Sequence, residues 1–202
     1  MFTRLASRLG APLLACLAAG PAIAADGSPI DAADTGFMIV ATALVLLMTL
    51  PGLALFYAGM VRKKSLLGTM AQSVAATAIV SILWYAIGYS LAFTGDGALL
   101  GSAARLFGAG IGLETVSPLA KTIPEMLFLG YQMTFAVITV ALVGGAVADR
   151  LNFSAFVIFS VLWLFVVYVP SAHWVWGGGF LAQMGVIDFA GGTVVHINAG
   201  IA

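Results

Sequence analysis

The sequence predicts an all-α polytopic membrane protein, and three observations carry that prediction. Hydrophobic residues fill 62% of the 202 positions and charged ones only 8%, against about 25% charged in a soluble domain. The apolar residues fall in long uncharged runs, each roughly long enough to cross a bilayer at about 1.5 Å per helical residue. Most of the charges lie in the short segments between those runs. So few charges cannot coat a water-facing surface, so the bilayer is the solvent. The formal net charge is zero and Arg62-Lys63-Lys64 is the one basic tract, so no nucleic-acid-binding face is legible. No nucleotide-binding loop is present, and the reading is not that of an enzyme.

Residues 1–24 read as a signal peptide. Arg4 and Arg8 form a positive start, Ala11 to Ala19 is a short apolar run, and Ala22-Ile23-Ala24 fits a cleavage site. The run is too short to span. Cys16 lies inside it, so the chain after cleavage (25–202) has no cysteine for disulfide or thiol chemistry. Six basic and eight acidic residues then remain, a balance of −2.

The first span is expected at Phe37 to Val61, capped by Asp34 or Thr35 and kinked at Pro51-Gly52. The second runs from about Leu66 to Thr94, with Trp84, Tyr85 and Tyr89 toward its far end as an interfacial aromatic belt. Asp96 to Lys121 is a Gly-rich connection. Thr122-Ile123-Pro124-Glu125 has capping-box spacing, with proline in the first turn, and opens a third span that reaches Ala148. Glu125 is its capping acid, and Asp149-Arg150 is an interfacial anchor. The fourth span covers about Asn152 to Val169 and stops at Pro170. His173 to Asp188 is a loop, and a fifth apolar segment opens near Phe189. The domain therefore holds four full spans and the start of a fifth, which reads as a fragment of a larger bundle. The Arg62-Lys63-Lys64 loop is expected on the cytoplasmic side, with the mature N-terminus outside.

Ionisable groups inside spans are rare, and each is a candidate functional group. His196 is one: a neutral imidazole both donates and accepts a hydrogen bond, which suits passage of a small polar molecule. A histidine satisfied by a neighbouring helix is the competing reading. Gly191, Gly192, Ala199 and Gly200 around it read as close-packing residues. Trp174 and Trp176 read as belt tryptophans, or as faces that attract a small cation. Asp188 reads as a helix-start acid, a charge that favours a waiting cation, or both. Tyr131 and Phe135 share a helix face. Spacing alone favours core packing for them, and occlusion of a narrow pore is the alternative.

Several stretches together resemble the ammonium transporter (Amt/Mep/Rh) family over nearly all of 34–202. They are Pro51-Gly52-Leu53-Ala54-Leu55-Phe56-Tyr57-Ala58-Gly59, Gly88-Tyr89-Ser90-Leu91-Ala92-Phe93, His173-Trp174-Val175-Trp176-Gly177-Gly178-Gly179, and Asp188-Phe189-Ala190-Gly191-Gly192-Thr193-Val194-Val195-His196-Ile197-Asn198. The resemblance implies the first half of an eleven-helix fold with inverted repeats, assembled as a homotrimer with a pore in each subunit. It implies ammonium or ammonia as the substrate, without a cofactor or metal. It assigns Trp176 and Phe135 to an outer recruitment site supported by Asp188, Tyr131 and Phe135 to an aromatic gate, and His196 to a twin-histidine pair. A cytoplasmic signalling protein is an expected regulator. Tyr131 departs from the phenylalanine common at the gate, and Asp149 stands where the family usually has Glu. The competing readings are an ammonium sensor of the same fold and a membrane redox subunit with His173 and His196 as haem ligands.

Overall fold

The computed structural model describes residues 29–202. The signal-peptide reading of residues 1–24 lies outside them. Among the described residues four helices are long and apolar enough to cross a membrane: α1 (Ala32–Met60), α2 (Lys63–Phe93), α3 (Glu125–Ala146) and α4 (Phe153–Gln183). A fifth helix, α5 (192–201), follows. A two-stranded antiparallel ribbon, β1 (Val116–Ser117) and β2 (Ala120–Pro124), leads into α3. Of the four long helices α3 is central, with 56% of its apolar window buried against 11% for α1. It packs on α1, α2 and α5. Large apolar side chains of α1 such as Phe37, Leu44 and Phe56 stay exposed, which costs nothing against hydrocarbon.

Lipid tails are as apolar as leucine, so helices associate here by close packing of small residues. Ala76, Ala136, Ala141 and Ala172 are buried in the seams. A Cβ added to Gly145 would lie 2.3 Å from the Tyr57 ring, so that ring rests directly on the backbone of α3. The Tyr57 hydroxyl donates to the Leu142 carbonyl at 3.1 Å.

Each of the long helices other than α3 contains a wider π-type turn. These are Met48–Leu53, Trp84–Gly88 and Leu164–Tyr168. In α1 the turn holds Pro51, and Leu50 is extended at φ −126° and ψ 110°, so the kink falls where proline removes a donor. In α2 and α4 the extra residue per turn swings bulky rings inward. Trp84 and Tyr168 are fully buried and meet edge-on at 5.9 Å. The Trp84 indole donates to the Leu129 carbonyl at 3.2 Å. Tyr89 is fully buried as well, while Tyr85 is 43% exposed. The expected aromatic belt is therefore corrected: Trp84 and Tyr89 are core residues, and only Tyr85 has the exposure of a belt.

Three helix ends also differ from expectation. Asp31, not Asp34 or Thr35, caps α1. Its carboxylate accepts from the Asp34 amide at 2.8 Å, and its carbonyl accepts from the Thr35 hydroxyl at 2.6 Å. Residues 122–124 belong to β2, and α3 begins at Glu125 with no side-chain cap. Glu125 is buried and paired with the Gly-rich connection between α2 and α3 instead. Arg105 donates from Nε and Nη2 to its two oxygens, each at 3.2 Å, and Tyr89 donates from its hydroxyl at 3.0 Å. Proline at 170 does not end α4, which continues to Val175 because the π-type turn before it leaves Pro170 in the first turn of a fresh helical segment.

At the opposite end, Arg62 Nε meets an Asp149 oxygen at 3.2 Å, joining the α1–α2 and α3–α4 turns. The Ser65 hydroxyl and then Arg62 hold the Asp149 carboxyl below the usual carboxylate range. Asp149, expected as part of an interfacial anchor, here ties two turns together.

The Arg105–Glu125 pair yields a stability prediction. Arg105→Ala strands the Glu125 carboxylate and costs about 2–3 kcal/mol, at the low end for breaking a buried pair because the Arg105 side chain is 30% exposed. Arg105→Ala combined with Glu125→Gln recovers most of that loss. Thermal unfolding of the detergent-purified protein measures both.

Candidate substrate path

The candidate residues come from three elements: α3, the end of α4 and the start of α5. Tyr131, Gln132 and Phe135 lie on α3. The Tyr131 and Phe135 rings meet edge-on at 5.0 Å and 83°. Phe135 in turn meets Trp176 edge-on at 6.0 Å and 70°. Spacing on one helix face produced the first contact, and the tertiary fold produced the second.

Trp176 is not a loop residue. It caps the continuous part of α4, with its amide donating to the Ala172 carbonyl at 2.8 Å. Trp174 lies within that helix, and its indole donates to the Leu99 carbonyl at 2.8 Å. His173 is also in the helix and fully buried, so its expected loop placement is corrected. Its Nδ1 lies 2.8 Å from the Ala92 carbonyl and its Nε2 2.5 Å from the Gly97 carbonyl. Neither nitrogen is left to ligate a haem iron.

Asp188 closes the site from below the tryptophan. The Trp176 indole donates to the Asp188 backbone carbonyl at 2.8 Å. The Asp188 carboxylate accepts from the amides of Gly192 at 2.8 Å, Thr193 at 2.8 Å and Val194 at 3.0 Å. These are the orphan donors that any helix start leaves, and an acid there also meets the positive end of the helix dipole. Gly191, at φ +77°, makes the turn that aims them at Asp188. α5 thus starts at Gly192, three residues after the expected Phe189 opening, and Asp188 serves it as the predicted helix-start acid.

A cavity of about 250 Å³ forms among these groups, lined by Phe93, Leu119, Phe128, Tyr131, Gln132, Phe135, Trp176, Phe189, Ala190 and Gly191. Asp188 does not line it and acts on it through Trp176 and the α5 start. The Gln132 Oε1 is buried without a hydrogen-bond partner. Sequence reading missed Gln132, although an uncharged but polar carboxamide within an apolar span was a usable signal. Phe93 and Phe128 were missed too, because nothing local ties them to the α3 aromatic pair.

A second cavity of about 260 Å³ holds His196, with Val45, Met48, Leu53, Phe135, Ile138, Leu142, Ala190 and Val195. Its walls are apolar apart from the imidazole. Phe135 and Ala190 line both cavities. The arrangement is an aromatic chamber beside an open, largely apolar pocket that carries one exposed histidine. The first chamber suits a small cation that carries N–H donors. The second suits a small neutral molecule that exchanges hydrogen bonds with imidazole.

A profile of the Ammonium Transporter Family matches residues 36–202. The ammonium transporter of Bacillus subtilis is 51% identical over 169 residues, covering 84% of this chain and 41% of that protein. The ammonium transporter of Aquifex aeolicus is 49% identical over 179 residues, covering 88% and 42%. Among solved structures, Candida albicans Mep2 superposes with a TM-score of 0.77 at 37% identity, covering 85% of this chain and 38% of Mep2. A structure described as a sensor Amt protein superposes with a TM-score of 0.73 at 26% identity, covering 82% and 41%. The chain therefore spans about two fifths of the relatives it matches, in keeping with the first half of the eleven-helix fold. By sequence and by fold, the chain belongs to the ammonium transporter family.

Proposed function

We propose that the chain supplies the outer chamber, the gate and one histidine of a pore that moves ammonium, or the ammonia derived from it, across a membrane. The observation that carries this reading is the shared wall: Phe135 lines both the aromatic chamber with Trp176 and the apolar chamber with His196. A bare ammonium ion cannot enter hydrocarbon, because an unpaired buried charge is very costly. The faces of Trp176 and Phe135 attract it. Passage beyond Phe135 as neutral ammonia avoids most of the burial cost, and His196 then supplies a hydrogen bond in an otherwise dry lumen. Tyr131 and Phe135 form the gate, and Asp188 holds Trp176 and the α5 start in place.

The homologues named as ammonium transporters, from Bacillus subtilis and Aquifex aeolicus, support the substrate. The end of the bundle with Arg62, Lys63 and Lys64 faces the cytoplasm of a cell membrane, and the start of α1 faces outside. The working assembly is a homotrimer with a pore per subunit and a cytoplasmic signalling protein as regulator.

Methylammonium uptake by the product of the complete gene tests the reading. Trp176→Leu removes the best cation–π face and lowers uptake at low substrate by about 2- to 30-fold. His196→Ala lowers the maximal rate by about tenfold or more, as expected for a lost polar partner in a dry site. Unchanged uptake in both correctly inserted variants overturns the proposed path. Protein that inserts and binds ammonium yet moves none assigns the same chambers to a sensor.

Asp188→Ala separates holding from binding. It leaves three amides of α5 unpaired and lowers stability by about 2 kcal/mol. Asp188→Asn, which keeps an acceptor, costs less. Thermal unfolding reads both, and equal losses overturn the capping role.

A further inference from the structure

We propose that a further cavity beside Asp34 is a loading site for a small cation with N–H donors, ammonium or an alkylammonium ion, next to the Trp176 chamber. The proposal rests on the reading of the Trp176 chamber as the entry to the path, and it extends that path by one site.

The cavity, of about 290 Å³, lies between the start of α1, the ribbon and the first turns of α3. Asp34 and Phe37 reach it from α1, Thr122 from β2, and Phe128 and Tyr131 from α3. Phe128 and Tyr131 also line the Trp176 chamber, so the two cavities are neighbours. Two hydrogen bonds hold the start of α1 against the ribbon. The Asp31 amide donates to the Thr122 carbonyl at 2.8 Å, and the Asp31 carboxylate accepts from the Asp34 amide at 2.8 Å.

The lining has the chemistry of a cation site. It brings one carboxylate together with the rings of Phe37, Phe128 and Tyr131, and no basic side chain is among its walls. An ionised carboxylate accepts N–H bonds and has no hydrogen to give. Ring faces attract a small cation. The capping of α1 falls to Asp31, which leaves the Asp34 carboxylate free of that task. Among the described residues the ion pairs are Arg62–Asp149 and Arg105–Glu125, and Asp34 is in neither. Asp34 and Phe37 are exposed, so an ion enters this cavity without losing all its water and is held loosely enough to move on.

The distribution of charge points to the same ligand. Among the described residues, the end of the bundle with both cavities carries Asp31, Asp34, Asp96, Glu114, Glu125 and Asp188 against Arg105 and Lys121. The opposite end carries Arg62, Lys63, Lys64 and Arg150 against Asp149. A division of this kind draws cations toward the acidic end and raises their local concentration. Glu125 is taken by Arg105 and Tyr89, and Asp188 by three amides. Asp34 lines the aromatic cavity and has no such partner in those bonds.

Methylammonium uptake into proteoliposomes, by the protein from the complete gene, tests the site at two ionic strengths. Asp34→Asn keeps the shape and removes the charge. At about 0.01 M salt it raises KM by about 2- to 5-fold, the size of one exposed charge contact, and leaves the maximal rate within about twofold. At about 1 M sodium chloride, where the Debye length is about 3 Å, the variant and the wild type converge. Asp34→Glu keeps the charge and stays near the wild type. Phe37→Leu removes a ring without changing charge and raises KM by about twofold. An unchanged KM for Asp34→Asn at low salt overturns the proposal. So does a rise that persists at high salt, because a structural defect is not screened. Where Asp34→Asn does not insert, Phe37→Leu decides, and an unchanged KM there overturns the site. If Trp176→Leu cripples uptake and Asp34→Asn does not alter KM, only the loading site fails. If Trp176→Leu leaves uptake unchanged while Asp34→Asn raises KM in low salt alone, the Trp176 reading fails and the Asp34 site stands.

Discussion

Every backbone polar group that a helix leaves unpaired inside a bilayer has to find its partner within the protein, because no water is there to supply one. That constraint is sharpest where α4 ends and α5 begins. The polypeptide must turn, approach α2 closely and restart as a helix in the space of 176–191. Asp188 supplies three acceptor bonds to the restarting helix. His173 Nδ1 lies 2.8 Å from the Ala92 carbonyl at the end of α2. Gly177, Gly179 and Gly191 fit where a side chain would strike backbone or a packed side chain. The aromatic chamber exists because those demands are met: Trp176 is suspended between His173 and Asp188, and Phe135 packs against its face.

Charge is distributed by the same logic. The few ionised groups among the described residues lie toward the two ends of the bundle. Arg105 and Glu125 tie the Gly-rich connection to α2 and α3, and Arg62 and Asp149 tie the turns at the other end. Between them the path offers aromatic faces, the Gln132 carboxamide and the His196 imidazole, with no carboxylate to trap a cation. On the proposed function, this economy lets a site gather a cation weakly, since a full charge partner would hold the ion too tightly to release it.

Much of the fold was legible because bilayer thickness sets a length that uncharged runs either reach or do not. The kink at Pro51 was legible because proline removes a donor wherever it stands. The pairing of Tyr131 with Phe135 was legible because residues four apart share a helix face. Asp188 as a helix-start acid followed from electrostatics that are local in sequence. The resemblance of the later motifs then pointed to Trp176 and His196 as well.

What escaped the sequence depends on contacts between residues far apart in it. Trp84 and Tyr89 looked like interfacial rings, and π-type turns rotated them into the core. Glu125 looked like a local cap, and Arg105 drew it into a buried pair from 20 residues away. His173 looked like a loop residue because Pro170 precedes it, yet a widened turn absorbed the proline. Gln132 stood out only once Phe93, Phe128 and Trp176 had closed around it. The sequence by itself determined the solvent, the number of described spans and the acid at the start of α5, because these follow from hydropathy and from neighbours within a turn. Only the tertiary structure decided which rings face the path and which polar groups stay unpaired, because packing among helices sets those.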